Sequence, residues 1–112
     1  MQDALLNNAI LRGARFSGAR FNRADLKYAN LTGSDLSYAD FRQASMKGVG
    51  LRNADLSYAD LSGADLSFAD LTGANLGGAN LDQTRFGHAI WMDGRKCLPD
   101  SIGECHVTDD AD

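Results

Sequence analysis

The sequence predicts an all-β fold, a solenoid wound from a five-residue unit, and three observations carry the prediction. A small residue recurs every five positions, a large apolar residue follows it two places later, and turn-forming residues fill the gaps. From Ala4 onward the first place holds alanine except at Ser34, Val49 and Thr84. The third place holds Leu, Phe or Met, and finally Trp91. This register runs through eighteen consecutive blocks, residues 4 to 93, without insertion or deletion.

Only one kind of backbone satisfies a strict period of five. On an α-helix five residues advance about 500°, a net 140°, which would smear the apolar residues around every face. A continuous strand fails because five is odd, so successive Leu residues would point to opposite sides of the sheet. Within one block, however, the small and the large residue are two apart, so a short extended piece turns both inward. The Asp, Asn, Ser, Gly and Thr residues between them favour tight turns through local side-chain bonds and tolerance of left-handed φ. A chain that runs straight and turns every five residues coils into a flat-sided tube.

The blocks Ala54-Asp55-Leu56-Ser57-Tyr58, Ala59-Asp60-Leu61-Ser62-Gly63, Ala64-Asp65-Leu66-Ser67-Phe68 and Ala69-Asp70-Leu71-Thr72-Gly73 resemble the A(D/N)LxX motif of the pentapeptide repeat family. The resemblance implies a right-handed parallel quadrilateral β-helix with four blocks per coil and both signature positions buried. Eighteen blocks would then make about 4.5 coils, about 22 Å long at roughly 4.8 Å per stacked strand. Residues 4–93 are expected to form the solenoid and 94–112 an irregular cap followed by an acidic, disordered end from His106 to Asp112. The expected core contains Leu36, Leu56, Leu66 and Leu76, together with the size departures Phe16, Phe21, Phe41, Met46 and Phe86. Trp91, inward in the last block, is expected to plug the end of the core.

The start enters the repeat by Ala4 and lacks the basic end and long apolar middle of a secretory signal. Little is left to cap the first coil, so a trimmed fragment or a homodimer through that coil is expected. After Trp91 the pattern stops, and Met92-Asp93-Gly94 reads as a turn, with Pro99 and Gly103 punctuating the irregular segment beyond it. A cap is needed there because an open strand edge recruits other chains. Cys97 and Cys105, the only cysteines, both lie in it. A disulfide, two free thiols, or a metal site completed by His106 would each fit. The metal reading is the weakest, since structural zinc takes four ligands at short spacings. A bridge would point to an extracytoplasmic location, periplasmic or secreted, and free thiols to the cytoplasm. The tail also resembles one that follows some bacterial pentapeptide arrays.

Charge narrows the function. The net charge is −4, yet residues 4–93 hold nine cations and nine anions, so the deficit comes from Asp3 and the tail. Arg12, Arg15, Arg20 and Arg23 crowd into the first coil. No apolar run approaches the roughly 20 residues that span a membrane. The quinolone-resistance branch of the resembled family mimics duplex DNA and binds type II topoisomerases such as gyrase, which needs a strongly acidic face. Outward residues here sum to +1, 0, −1 and 0 over the four faces, so this reading is disfavoured, and nucleic acid is not an expected partner. The repeated Asp and Asn follow the turn pattern and do not form an acid/base or metal cluster. His88 sits at a solvent-facing fifth place without an evident partner. No nucleophile constellation or phosphate loop is present, so neither catalysis nor a cofactor is expected.

What remains is a structural or protein-interaction module whose partner the sequence does not name. With four blocks per coil, residues twenty apart stack, which places Tyr38 above Tyr58 in one column and Tyr28, Gly48 and Phe68 in another. Tyr28, Tyr38, Tyr58 and Phe68 form the candidate interaction surface, since exposed aromatics commonly anchor partners. Stacked rings also brace a solenoid as cross-strand pairs brace a sheet, and that role is the commoner one.

Overall fold

A computed structural model describes residues 1–107 of the chain; Thr108–Asp112, which hold most of the expected disordered end, lie outside the described residues. The second residue of each block forms a parallel bridge with the residue twenty positions later, from Leu5↔Asp25 through Asp70↔Ile90. Twenty residues are four blocks, so the chain makes one coil in four short sides and four corners. Backbone bonds run along the tube axis: each third-place amide donates to the second-place carbonyl of the next coil, as in Leu36 N to Asp55 O at 2.7 Å. The next coil answers with its second-place amide, as in Asp55 N to Ser34 O at 2.9 Å.

The corners explain the polar places. Each is a four-residue turn closed by a bond such as Ala59 N to Leu56 O, 3.0 Å. The third residue of that turn has positive φ at every fifth position from Asp3 to His88, where type II turns place it. Asp or Asn at the second place accepts the amide two residues on through Oδ1. Asp55 Oδ1 takes the Ser57 N–H at 3.0 Å and the Ser57 hydroxyl at 2.6 Å. The repeated carboxylates are therefore turn fasteners, which is why each is followed so often by Ser or Thr two places later.

Inside, first-place alanines and third-place leucines fill a narrow core. Leu36, Leu56, Leu66, Phe21, Phe41, Met46 and Phe86 are fully buried, and Leu76 nearly so. The larger rings are absorbed by pairing: Phe21 stacks on Phe41 at 5.1 Å, and Phe16 meets Phe21 edge-on at 5.2 Å. Ser34 and Thr84, the polar first-place residues, bond their hydroxyls to the carbonyls of Leu31 at 2.6 Å and Leu61 at 2.7 Å. No buried side-chain nitrogen or oxygen lacks a partner among the described residues.

Two expected core residues differ. Phe16 is only half-buried, as are Ala4, Leu6, Leu11 and Ala19, because the first coil is covered on one side only. Trp91 is also half-buried: it leans edge-on against Phe86 at 5.0 Å and does not seal the core.

The eighteenth block ends the winding. Here the positive φ falls on Gly94 rather than on the fifth-place Asp93. With Gly94 N bonded to Trp91 O and Trp91 N to Arg95 O, at 2.9 and 2.7 Å, this is a three-residue hairpin loop with glycine in the left-handed place. The chain reverses, and antiparallel bridges Ile90↔Lys96 and Arg85↔Ile102 cover two sides of the last coil. Cys97 and Cys105 are joined by a disulfide with Cα atoms 5.1 Å apart. Of the three arrangements the sequence allows, the structure has the disulfide. His106, expected to be disordered, is half-buried: its amide bonds Ser101 Oγ at 2.9 Å and its carbonyl takes the Leu98 amide at 2.7 Å.

Candidate interaction surfaces

The four aromatic residues singled out from the sequence do not converge on one surface. Tyr28 and Tyr38 are half a coil apart, so Tyr28 and Phe68 occupy one corner while Tyr38 and Tyr58 occupy the diagonally opposite one. All four are more than half exposed. Each ring leans along the axis toward the next coil. Tyr38 stacks on Tyr58 at 5.1 Å, and the Tyr58 ring lies over Gly78. Across the tube, the Tyr28 ring lies over Gly48, and Phe68 stacks on His88 at 4.7 Å with Lys47 Nζ 5.7 Å from its centroid. His88 is solvent-facing as expected, and Phe68 is the partner that the sequence did not reveal.

These rings stand on costly backbone. Their φ values are 60°, 61°, 59° and 63° for Tyr28, Tyr38, Tyr58 and Phe68. A bulky residue in that region costs about 1–2 kcal/mol relative to glycine. A stacked aromatic pair returns about 0.5–1.5 kcal/mol. Each stacked pair carries that backbone cost twice, and Tyr28 has no aromatic partner, so stacking alone does not offset the backbone. Glycine serves the same corners, at Gly18 and Gly78 in the column of Tyr38 and Tyr58 and at Gly48 between Tyr28 and Phe68.

The corner of Tyr28 and Phe68 carries more than these two. Of nine large apolar side chains exposed among the described residues, six lie along it: Leu5, Ile10, Tyr28, Phe68, Leu98 and Ile102. Leu5 and Ile102 end one flanking ladder, Leu5–Asp25–Ser45–Asp65–Arg85–Ile102, and Ile10 begins the other. The cap reaches this corner because His88 N bonds Cys97 O, and the Pro99 backbone sits against Gly87, which has no Cβ to obstruct it. Leu5 and Ile10, at 81% and 79% exposure, break the rule that the second place is polar. That irregularity is the signal the sequence offers; the path of the cap is not periodic and offers none.

Charge differs between the two corners. All three lysines border the apolar corner: Lys27 and Lys47 are its fourth-place residues, and Lys96 bridges Ile90. Lys27 pairs with Asp25 at 3.7 Å and Asp70 with Arg52 at 3.6 Å, while Lys47, Lys96 and Arg85 have no ion pair among the described residues. Asp35 and Asp55 on one side of the Tyr38 corner, and Asp40 and Asp60 on the other, are bridge partners. The Ser37 hydroxyl and amide hold the Asp35 carboxyl below its ordinary 3.8, and the Arg42 guanidinium does the same for Asp40.

A third corner holds a groove of about 420 Å³ where Gly63 separates Gln43 from Gln83. Its arginines are already committed: Arg23 to Asp3 at 3.1 Å and Arg42 to Asp40 at 2.8 Å. The groove can hydrogen-bond a small polar group; the Ser62 hydroxyl in its lining donates to Asp60 Oδ1 at 2.7 Å as a turn fastener. Among the described residues no three His, Cys, Asp or Glu side chains are grouped to hold a metal, and no helix is long and apolar enough to cross a membrane.

Comparison with known proteins agrees with this architecture. The family model for pentapeptide repeats matches residues 1–37, 24–57 and 51–87, in eight copies. Among solved structures, a pentapeptide repeat protein from the Arabidopsis thaliana thylakoid lumen is 36% identical with a TM-score of 0.72, over 73% of this chain and 57% of its own. The pentapeptide repeat protein Rfr23 from the cyanobacterium Cyanothece 51142 is 30% identical with a TM-score of 0.59, over 78% of this chain and 63% of its own. The chain thus spans less than two thirds of the length of either. No curated protein sequence matches it. A repeat-model match across most of the chain, with coils closing every twenty residues, leads to one conclusion: the chain belongs to the pentapeptide repeat family, whose fold is the right-handed β-helix.

Proposed function

We propose that this chain is a non-enzymatic protein-interaction module, a solenoid of about 4.5 coils that holds side chains at fixed spacing on a rigid surface. One observation supports it above others. Four aromatic rings stand more than half exposed on left-handed backbone that glycine would occupy at lower cost. Rings that contribute little to folding, yet are held rigidly outward, suit partner recognition. Topoisomerase mimicry gains no support from charge, because the outward residues of the four faces sum to +1, 0, −1 and 0 and no face is strongly acidic. The Cys97–Cys105 bridge suits an oxidising compartment. A homodimer through the half-covered first coil is a further reading; a mass near 24 kDa in solution, twice the 12.0 kDa of the chain, would support it.

The test is affinity purification from the native host with wild type and with Tyr28, Tyr38, Tyr58 and Phe68 all changed to Ser. The expected outcome is a specific protein that is captured by wild type and lost with the folded variant. Capture of the same protein at equal yield by both would remove the aromatic corners from the account.

A further inference from the structure

The apolar corner has a shape that selects among partners. It is a straight stripe from Leu5 to Ile102, five bridge steps, or about 24 Å at roughly 4.8 Å each. An added β-strand gains affinity by pairing with free amides and carbonyls in regular alternation, and the fifth-place amides of this corner are already engaged along the tube axis. The amides of Tyr28, Gly48, Phe68 and His88 donate to Lys47, Ser67, Gly87 and Cys97 carbonyls on the neighbouring rung. With those amides engaged the corner offers no alternating ladder, which favours a partner that satisfies its own backbone groups, as an α-helix does.

The spacing agrees. Tyr28 and Phe68 are two rungs apart, about 9.6 Å, close to the roughly 10.5 Å between helix positions i and i+7. A helix of about 16 residues would run the full stripe. The charges choose its flanks. Lys47, Lys96 and Arg85 border the stripe without ion pairs among the described residues; of its carboxylates, Asp25 and Asp70 are engaged by Lys27 and Arg52, which leaves these three cations to outnumber Asp65, on the ladder of Arg85. Building on the interaction reading, we infer that the corner bearing Tyr28 and Phe68 binds an amphipathic α-helix of a partner protein, apolar on one stripe and acidic along its flanks. The helix packs its apolar stripe over Tyr28, Gly48 and Phe68, and its carboxylates take the lysine ammonium groups.

The test uses the whole chain and synthetic probes. A fluorescent 18-residue helical peptide with leucines at i, i+3 and i+7 spacing and glutamate flanks is titrated by polarisation, beside the same peptide with lysine flanks. The glutamate form is expected to bind at least about tenfold more tightly. Phe68→Ser, and separately the pair Lys47→Gln with Lys96→Gln, should each weaken it about tenfold. Tyr38→Ser with Tyr58→Ser, on the opposite corner, should leave it unchanged. Phe68, Lys96, Tyr38 and Tyr58 are exposed and Lys47 is half-buried; circular dichroism verifies that each variant is folded.

Equal binding of the two peptides, or loss through the Tyr38 corner, overturns the inference. So does preferential binding to phosphatidylserine vesicles, which would make the corner a lipid surface. Concentration-dependent self-association abolished by Phe68→Ser would overturn it too, by making the occupant a second copy. If these peptides fail while the native partner is still lost with the four-serine variant, the helix inference falls and the interaction module stands.

Discussion

Gly48 offers a quantitative test of how the corners are built. Its φ of +69° carries a backbone penalty for any L residue, and a Cβ there would lie 2.5 Å from Cδ1 and Cε1 of Tyr28. Gly33 has nearly the same φ, +70°, but a Cβ there meets nothing within 4 Å. Gly33→Ala therefore isolates the backbone cost, about 1 kcal/mol. Gly48→Ala incurs the same cost and must also push the Tyr28 ring off its seat, giving about 2 kcal/mol in all. The cycle closes with Tyr28→Ala: in that background Gly48→Ala should fall back to the cost of Gly33→Ala, leaving a coupling of about 1 kcal/mol. Urea denaturation with far-UV circular dichroism as the readout measures every variant. If Gly33→Ala and Gly48→Ala are equally destabilising, or Tyr28→Ala leaves the Gly48 cost unchanged, the ring does not rest on the glycine and the corner geometry is wrong.

Other perturbations probe the remaining parts. Asp55→Ala should cost about 1 kcal/mol by freeing the Ser57 amide and hydroxyl, whereas Asp55→Asn, which keeps an acceptor oxygen, should cost far less. Replacing Cys97 and Cys105 by Ser should destabilise the chain by about 2–3 kcal/mol in thermal unfolding, with the first amides to lose exchange protection lying in the cap. Because folding lowers the Asp35 and Asp40 carboxyls below the ordinary 3.8, the folded state favours their ionised forms. Their contribution is thus present above pH 3.8 and is lost as the pH falls through the folded values. A melting temperature that rises on acidification below pH 3.8 would reverse that sign.

Much of this architecture is legible because each residue of the block has one job. The alternation of Ala54 and Leu56 with Asp55 between them fixes which side chains point inward. The step of twenty residues then places Tyr38 on Tyr58 and Tyr28 beside Gly48. The same step puts Tyr28 and Tyr38 at opposite corners, a separation visible in the sequence once coils are counted.

The illegible parts depend on non-periodic contacts. Nothing in the repeat says that the polypeptide reverses at Asp93-Gly94, although the Asp-Gly pair signals a tight loop. Once it reverses, Leu98 and Ile102 land on the corner that Leu5 and Ile10 begin, which no spacing rule could supply. The inward place of Trp91 suggests a plug, but the antiparallel cap leaves part of the ring uncovered. His88 looks solitary in the sequence because its stacking on Phe68 depends on how rings lean along the axis.

Site-specific photo-crosslinking tests the central claim, that this rigid tube recognises a protein through its aromatic corners, most directly. A benzophenone side chain is placed at Ser45 or Asn30, beside the apolar corner, or at Asn53, on a corner without aromatics, and each protein is irradiated in extract of the native host. One discrete crosslinked species is expected from positions 45 and 30, absent from position 53 and lost when Tyr28 and Phe68 are changed to Ser. The same species from all three positions, or its survival in the double serine variant, would contradict it.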